Sequence, residues 1–272
     1  MHPLSHTAAG LPDIFKKTGP LIHNITNLVV MNATANILLA MGASPVMAHS
    51  DREVADMTAL SGALVLNIGT LSDPWVEAMI IAGKAANRLG RPVILDPVGA
   101  GATSYRSRVV RRILDEVSVS VIRGNASEVL SLSDTRIKTK GVDSAVTLSD
   151  AALDTAREIA RNHHCIVAVS GEKDLITDGA QSFRVSNGVS LMTRVTGLGC
   201  GLSAVVGAFC AVSADEDRLA AVASAMGFYG LCGETAFKIS SRPGSFFAAF
   251  LDALYTAGSD DITHGLRVDM VR

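Results

Sequence analysis

Short apolar runs alternate with helical segments along the chain, and this alternation limits the fold more than any other feature. Four runs, residues 63–68, 92–95, 119–122 and 165–169, contain no charged residue and end at glycine or a polar residue. Such runs are typical of strands that are buried on both faces. Because the segments between them have helical patterns, the sequence predicts a mostly parallel sheet with right-handed crossovers and flanking helices.

Length and composition narrow the class of protein further. The 272 residues suit one large α/β domain or two small ones. Since no linker, low-complexity tract or internal repeat divides the chain, we expect a single domain over residues 1–272. The net charge is −2, and the lysines and arginines form no basic patch, so we expect no nucleic-acid partner.

Neither membrane insertion nor secretion is expected. Two uncharged stretches, residues 28–50 and 195–214, are interrupted by asparagine and proline or by glycines, which favours buried helices and loops over membrane spans. Residues 1–17 lack the pattern of a secretory leader. The four cysteines form no C-x-x-C pair, which indicates free thiols and a cytoplasmic location.

A glycine-rich run over residues 195–204 suggests where an anion could bind. It places Gly197, Gly199, Cys200 and Gly201 ahead of a predicted helix over residues 204–212. Exposed backbone N–H groups and a helix N-terminus together bind phosphate well. A glycine-rich turn before a tightly packed helix is the alternative, and the run alone does not decide between them.

Polar residues follow each predicted strand, at the edge where parallel sheets bind ligands. They are Asn67 with Gly69 and Thr70, then Asp96, then Arg123 with Asn125 and Glu128, then Ser170. Each also has a structural explanation: a turn at Asp96 or Ser170, a surface ion pair at Arg123, or a first-turn helix partner at Glu128. Together with the anion site, however, carboxylates indicate Mg²⁺, and an arginine indicates a nucleotide phosphate. The set therefore predicts phosphoryl transfer.

Six segments resemble the hydroxyethylthiazole kinase family, which has a ribokinase-like fold. They are residues 23–27, 41–47, 62–71, 95–102, 122–128 and 195–200, in the expected order. The resemblance implies a three-layer αβα kinase that uses ATP and Mg²⁺. Its substrate would be the primary hydroxyl of 4-methyl-5-(2-hydroxyethyl)thiazole, in thiamine biosynthesis or salvage. The resemblance also implies a homotrimer with active sites at the subunit interfaces.

The resemblance also implies roles for individual residues. Those on the thiazole side are Met47, Gly197, Asn27, Gly69 and Thr70. Those on the ATP side are Arg123, Ser170, Asn125 and Gly199. Asp96 and Glu128 would organise Mg²⁺, and Cys200 would be catalytic, at the position where most ribokinase-like kinases carry an aspartate base.

Some residues depart from the family pattern or have a structural interpretation. Leu198 and Gly201 are unusual at their positions, so we expect a narrower acceptor pocket and a looser helix start. Ser170 replaces a common threonine and keeps the hydroxyl. At a helix N-terminus we expect the pKa of Cys200 to be lowered. We expect His23 to be buried and hydrogen-bonded.

Three other functions were weighed. A ribokinase-like kinase of hydroxymethylpyrimidine would share the fold and the glycine run. A non-catalytic nucleotide-binding regulator would bind ATP without forming product. A nicotinamide-dependent dehydrogenase is disfavoured, because no G-x-G-x-x-G follows the first predicted strand.

Overall fold

The computed structural model describes residues 10–133 and 145–271. Its centre is one sheet with the strand order β2-β1-β3-β4-β5-β6-β7-β8-β9. The strands are β1 (Leu21–Ile25), β2 (Ser44–Val46), β3 (Ala63–Asn67), β4 (Val93–Asp96), β5 (Val121–Asn125), β6 (Ile166–Ser170), β7 (Asp174–Thr177), β8 (Ser182–Val185) and β9 (Val268–Met270). The six strands from β2 to β6 in this order pair in parallel, and β6 to β9 pair antiparallel.

Eleven α-helices connect these strands in the described part of the chain. They are α1 (Leu11–Thr18), α2 (Met31–Met41), α3 (Val54–Leu60), α4 (Asp73–Arg88), α5 (Ser104–Glu116), α6 (Ala126–Leu130), α7 (Ala145–His163), α8 (Leu198–Val212), α9 (Arg218–Ile239), α10 (Pro243–Thr256) and α11 (Ser259–Gly265). None of the helices in residues 10–133 and 145–271 is both long and apolar enough to cross a membrane.

Helices cover both faces of the sheet, so the architecture has three layers. Along β3, Val65 packs into a core shared with α2, α8, α9 and α10. Its neighbours Leu64 and Leu66 pack into a second core, shared with α3, α4, α5 and α7. This alternation follows from the two-residue period of a strand. Helix α8 lies very close to the sheet, since a Cβ on Gly207 would be 2.8 Å from Val65 Cγ2.

The four apolar runs correspond to β3, β4, β5 and β6, which confirms the predicted parallel sheet. The sequence also predicts a short strand at residues 45–47, which corresponds to β2, and a hairpin at a sheet edge over residues 174–184, which contains β7 and β8. The edge position was wrong, because β9 pairs with β8 and forms the edge of the sheet.

Two predicted helices begin at other residues than expected, and several elements were not predicted. Residues 27–41 form an apolar stretch with small residues that ends at Gly42, which predicts a helix, but α2 begins only at Met31, and the preceding strand β1 was missed. Strand β1 contains His23 and Asn24, which interrupt an apolar run but are buried with internal hydrogen bonds. Helix α5 was also missed. Helix α8 begins at Leu198 rather than at residue 204, so most of the glycine-rich run is already helical.

Candidate active site

The N-terminus of α8 meets the carboxyl ends of β3 and β4. Asn67 and Asp96 are the last residues of these strands and are paired in register. Both are buried. Cys200 lies in the first turn of α8, and Ser203 follows one turn later, so both face the strand ends.

A continuous chain of hydrogen bonds joins these residues. Ser203 Oγ and Asn67 Nδ2 both donate to Asp96 Oδ2, at 2.8 Å and 2.7 Å. Asn27 Nδ2 donates to Asn67 Oδ1 at 2.8 Å and also to Cys200 Sγ at 3.5 Å. A carboxylate predicted on the metal side and a thiol predicted on the acceptor side are therefore linked through two buried amides.

Two glycines permit this close arrangement. Gly197 caps α8 with φ +93°, and a Cβ there would lie 2.9 Å from the Ala33 Cβ. Gly69 lies against Asn27, because a Cβ at Gly69 would be 2.6 Å from Asn27 Nδ2. Glycine is needed at residue 197 because the positive φ would strain a residue with a Cβ. It is needed at residue 69 because a Cβ would overlap the Asn27 side chain.

Arg123 is buried in the middle of β5, so the surface ion-pair interpretation is wrong. Its Nη1 donates to the carbonyl of Gly199 at 2.9 Å, and its Nη2 donates to Ser170 Oγ at 2.8 Å. Its buried Nε has no hydrogen-bond partner in the part of the chain that the structure describes. A buried guanidinium with an unused donor, beside a helix N-terminus, is suited to an anionic group.

Glu128 and Asn125 begin helix α6 as a reciprocal pair. Asn125 Oδ1 accepts from Glu128 N at 3.0 Å, and Glu128 Oε2 accepts from Asn125 N at 2.9 Å. Glu128 Oε1 also accepts from Gly99 N at 2.9 Å. The helix-start interpretation of Glu128 is therefore confirmed, and the same bonds hold its carboxylate close enough to Asp96 to raise the pKa of Asp96.

Burial controls the ionisation of the two central groups. It raises the pKa of Asp96 to about 6, against the opposing effects of Arg123 and the Ser203 hydrogen bond. It also raises the pKa of Cys200 to about 11, and the nearby Asp96 carboxylate adds to that rise. The expected lowering is therefore wrong, because burial beside the Asp96 carboxylate disfavours the thiolate. Cys200 is a neutral thiol at neutral pH.

The residues assigned to the thiazole side lie on the loops after β1, β2 and β3. Thr70 Oγ1 accepts from Leu28 N at 3.1 Å, which joins the first and third of these loops. Met47 is partly buried, and its carbonyl accepts from His49 Nδ1 at 3.3 Å. His23 shares hydrogen bonds with Thr58 Oγ1 and with the carbonyl of Ala48, so its predicted structural role is confirmed.

The two unusual residues of the glycine-rich run have packing roles. Leu198 is 2% exposed and belongs to the core, and its carbonyl accepts from Tyr229 Oη at 2.8 Å. A Cβ at Gly201 would overlap Ile37 Cδ1. The first turn of α8 is thus anchored by Tyr229 and Ile37, and the expectation of a loose helix start is not what the structure shows.

Sequence reasoning missed three residues that organise the site. Asn67 was recognised only as a strand-end residue, and Ser203 was overlooked although it lies three residues after Cys200 on the same helix face. Arg106 gave no signal. Its guanidinium donates to the carbonyls of Ile68, Val98 and Gly69 at 2.6–2.8 Å and so fastens together the loops after β3 and β4.

The donor set suits a sparsely ligated Mg²⁺. No group of three or more His, Cys, Asp or Glu side chains that could hold a metal occurs within residues 10–133 and 145–271. Mg²⁺ in phosphoryl-transfer sites keeps several waters and takes only one or two carboxylates plus phosphate oxygens. Asp96 uses only Oδ2 in its hydrogen bonds to Asn67 and Ser203, which fits such a site.

Sequence comparison identifies a family. Residues 13–260 match the model of the hydroxyethylthiazole kinase family. A hydroxyethylthiazole kinase of Desulfotalea psychrophila is 53% identical over 268 residues, which are 98% of this chain and 97% of the relative. One from Leptospira biflexa is 49% identical over 265 residues, covering 97% and 98%.

Solved structures agree with the sequence matches. A hydroxyethylthiazole kinase structure from Pyrococcus horikoshii OT3 superposes with a TM-score of 0.89 at 40% identity, covering 98% of this chain and all of that one. A ribokinase-like superfamily protein from Enterococcus faecalis has a TM-score of 0.63 at 12% identity, covering 91% and 89%. A pyridoxal kinase from Staphylococcus aureus has a TM-score of 0.63 at 15% identity, covering 93% and 98%. The last two establish the ribokinase-like fold alone.

Proposed function

The chain belongs to the hydroxyethylthiazole kinase family, and from this we propose that it transfers the γ-phosphoryl group of ATP to a thiazole alcohol. The substrate is 4-methyl-5-(2-hydroxyethyl)thiazole, phosphorylated at its primary hydroxyl in thiamine biosynthesis or salvage. The observation that carries this function in the structure is the junction of α8 with β3 and β4, where Cys200, Asn27 and Asp96 belong to one hydrogen-bonded chain.

In this reaction the alcohol lies between Cys200 and the γ-phosphate. The first-turn N–H groups of α8 and the Arg123 guanidinium stabilise negative charge on the transferring group. Such a transfer depends mainly on positioning and charge neutralisation, because its transition state is largely dissociative. A strong base is therefore unnecessary, since the alcohol proton can pass to an oxygen of the transferred phosphoryl group, and this agrees with the high pKa of Cys200.

The remaining roles follow the family resemblance and are supported by position. Ser170, Asn125 and Gly199 bind ATP together with Arg123, which already contacts Ser170 and Gly199. Met47, Asn27, Gly69, Thr70 and Gly197 form the thiazole side. Asp96 and Glu128 would hold Mg²⁺. When bound, Mg²⁺ neutralises phosphate charge.

We also propose a homotrimer of single-domain chains in the cytoplasm. Leu28 and Val29 support an interface beside the active site, because they are 63% and 68% exposed and follow directly after Asn27. The free state of all four cysteines supports a reducing compartment.

The deciding experiment measures ADP release with ATP, Mg²⁺ and hydroxyethylthiazole, with hydroxymethylpyrimidine as a parallel acceptor. Thiazole-dependent ADP release, with phosphate on the alcohol by mass spectrometry, is the expected result. Release with the pyrimidine alone would reassign the acceptor. ATP binding without release for either acceptor would favour a regulator.

A further inference from the structure

Asn67 joins two parts of the site that have separate roles in the proposed reaction. It is buried at the end of β3, and both ends of its amide are used. Its Nδ2 donates to Asp96 Oδ2 at 2.7 Å, and its Oδ1 accepts from Asn27 Nδ2 at 2.8 Å. The side chain therefore connects the carboxylate on the metal side to the residue that contacts Cys200.

Backbone N–H groups fix the orientation of both amides. The N–H of Gly69 donates to Asn67 Oδ1 at 2.9 Å, and the N–H of Val29 donates to Asn27 Oδ1 at 3.1 Å. A backbone N–H can only donate, so each amide oxygen must face it. Asn67 Nδ2 must then face Asp96, and Asn27 Nδ2 must face Asn67 and Cys200. A flip of either amide would leave two donors facing each other.

Close packing against Gly69 restricts movement of the Asn27 side chain. Its amide lies against the Gly69 backbone so closely that a Cβ there would be 2.6 Å from Nδ2. Buried polar groups without partners are costly, so the two amides hold each other in place. Asn27 Nδ2 donates in two directions, to Cys200 Sγ and to Asn67 Oδ1, and Asn67 Nδ2 in turn donates to Asp96 Oδ2.

We propose that Asn67 is a positioning residue for Cys200, a role that rests on the kinase function proposed above. Asn67 holds Asn27 Nδ2 as a donor to Cys200 Sγ, at 3.5 Å. Because the Asn27 amide donates to the sulfur, it fixes where the thiol lies beside the acceptor hydroxyl. Asn67 thereby fixes how the thiol meets the acceptor, without touching the substrate itself.

The kinetic test compares Asn67→Leu, Asn27→Leu and the double variant. Leucine has nearly the shape of asparagine but neither donates nor accepts. We expect Asn67→Leu to lower kcat for the thiazole by less than about 100-fold, and by no more than Cys200→Ala does, because Asn67 acts by positioning Cys200. The double variant should lose less than the two single losses combined, because both changes act on Cys200. Additive losses, or an unchanged kcat in Asn67→Leu, would overturn the proposal.

Thr177→Val is the matched control, since it removes a buried hydroxyl in β7 that makes internal hydrogen bonds. It should lower stability without changing kcat, which separates positioning from loss of fold. Asn67→Ser, which leaves room for water, provides the same comparison if Asn67→Leu does not fold.

A second readout needs no substrate: the rate at which iodoacetamide alkylates Cys200, followed by mass spectrometry on the free protein. Donation from Asn27 favours the thiolate, so Asn67→Leu and Asn27→Leu should slow alkylation equally and Thr177→Val should not. A wild-type protein without thiazole-dependent turnover would refute the proposed function, yet this comparison would still decide the role of Asn67. Alkylation of Asn67→Leu at the wild-type rate would count against it.

Discussion

Cys200 shows how burial and helix position compete at a single residue. The first turn of α8 favours a thiolate, but desolvation and the Asp96 carboxylate raise the pKa of the thiol to about 11. The thiol of Cys210, far into the same helix, has its pKa raised to about 12 by burial. Burial therefore disfavours the thiolate at both positions, and we expect Cys200 to act in the proposed reaction mainly as a neutral hydrogen-bonding group.

Replacement of Cys200 by alanine should consequently slow the kinase without stopping it. We expect Cys200→Ala to lose less than the roughly 100-fold that a general base contributes at the least. Steady-state ADP release measures this, with Cys210→Ala as the control for removing a buried thiol from α8. Complete loss of turnover in folded Cys200→Ala would mean that the thiol is indispensable.

Asp174 provides a prediction about pH. Burial raises its pKa from 3.8 to about 6, against opposing effects of the Gly171 N–H and Arg123. The native state thus holds this proton more tightly than the unfolded chain, so stability falls as pH rises from about 4 to about 6. At about 1.4 kcal/mol per pKa unit, Asp174→Asn should gain up to about 3 kcal/mol at pH 8.

Thermal unfolding of Asp174→Asn at several pH values tests this. The increase in Tm should be largest above pH 6 and should vanish near pH 4, where Asp174 is protonated in both states. The exposed Asp269→Asn is the control and should show no such pH-dependent gain. A constant difference between Asp174→Asn and the wild-type protein at all pH values would exclude ionisation as the cause.

At the scale of elements, apolar runs predict strands well when their polar residues come only at the ends. Strands β3 and β4 satisfy this, whereas β1 does not, because His23 and Asn24 are buried inside it with their own hydrogen-bond partners. The start of α8 was placed too late because glycines favour turns in sequence reasoning. Packing against Ile37 and the Tyr229 hydrogen bond to Leu198 make these glycines helical.

The site likewise contains residues that the sequence pattern predicts and residues that it does not. Asp96 and Arg123 were predicted because strand ends in a parallel sheet share one edge. Ser203 and Asn67 were not assigned roles, because their partner Asp96 is 107 and 29 residues away in sequence. A single chain does not reveal hydrogen bonds between such distant side chains.

Gly197 tests how strongly the start of α8 depends on backbone conformation. Both Gly197 and Gly90 have positive φ, at +93° and +62°, but only Gly197 has a neighbour, Ala33 Cβ, within 3 Å of a built Cβ. Alanine at either position should cost about 1–2 kcal/mol from the left-handed conformation. Gly197→Ala should lose more, because Ala33 must also move.

Chemical denaturation measures both variants, and activity separates them. Gly197→Ala should raise KM for the thiazole, since the first turn of α8 shifts, while Gly90→Ala should retain wild-type kinetics. Equal stability and equal kinetics in the two variants would show that the close approach of Gly197 to Ala33 is unimportant.

At the scale of the whole molecule, the proposed trimer links assembly to catalysis through one short segment. Leu28 and Val29 are exposed in the single chain, yet Leu28 N donates to Thr70 Oγ1 and Asn27 reaches Cys200. A second copy that covers these two side chains would exclude water from the thiazole side and stiffen the loop that carries Asn27. Assembly should therefore be required for full activity.

Val29→Glu tests this link, because a charge at the centre of an apolar contact is costly to bury. Light scattering should give three times the 28.3 kDa chain mass for the wild-type protein and a smaller mass for Val29→Glu, with a parallel loss of kcat.

Leu60→Glu is the matched control: Leu60 is 71% exposed but ends α3 just before the amino end of β3, at the edge of the sheet opposite the site. It should change neither mass nor activity. A trimer that persists in Val29→Glu with full activity would place the interface elsewhere on the molecule, and a monomeric, active wild-type protein would show that the site is complete within one chain.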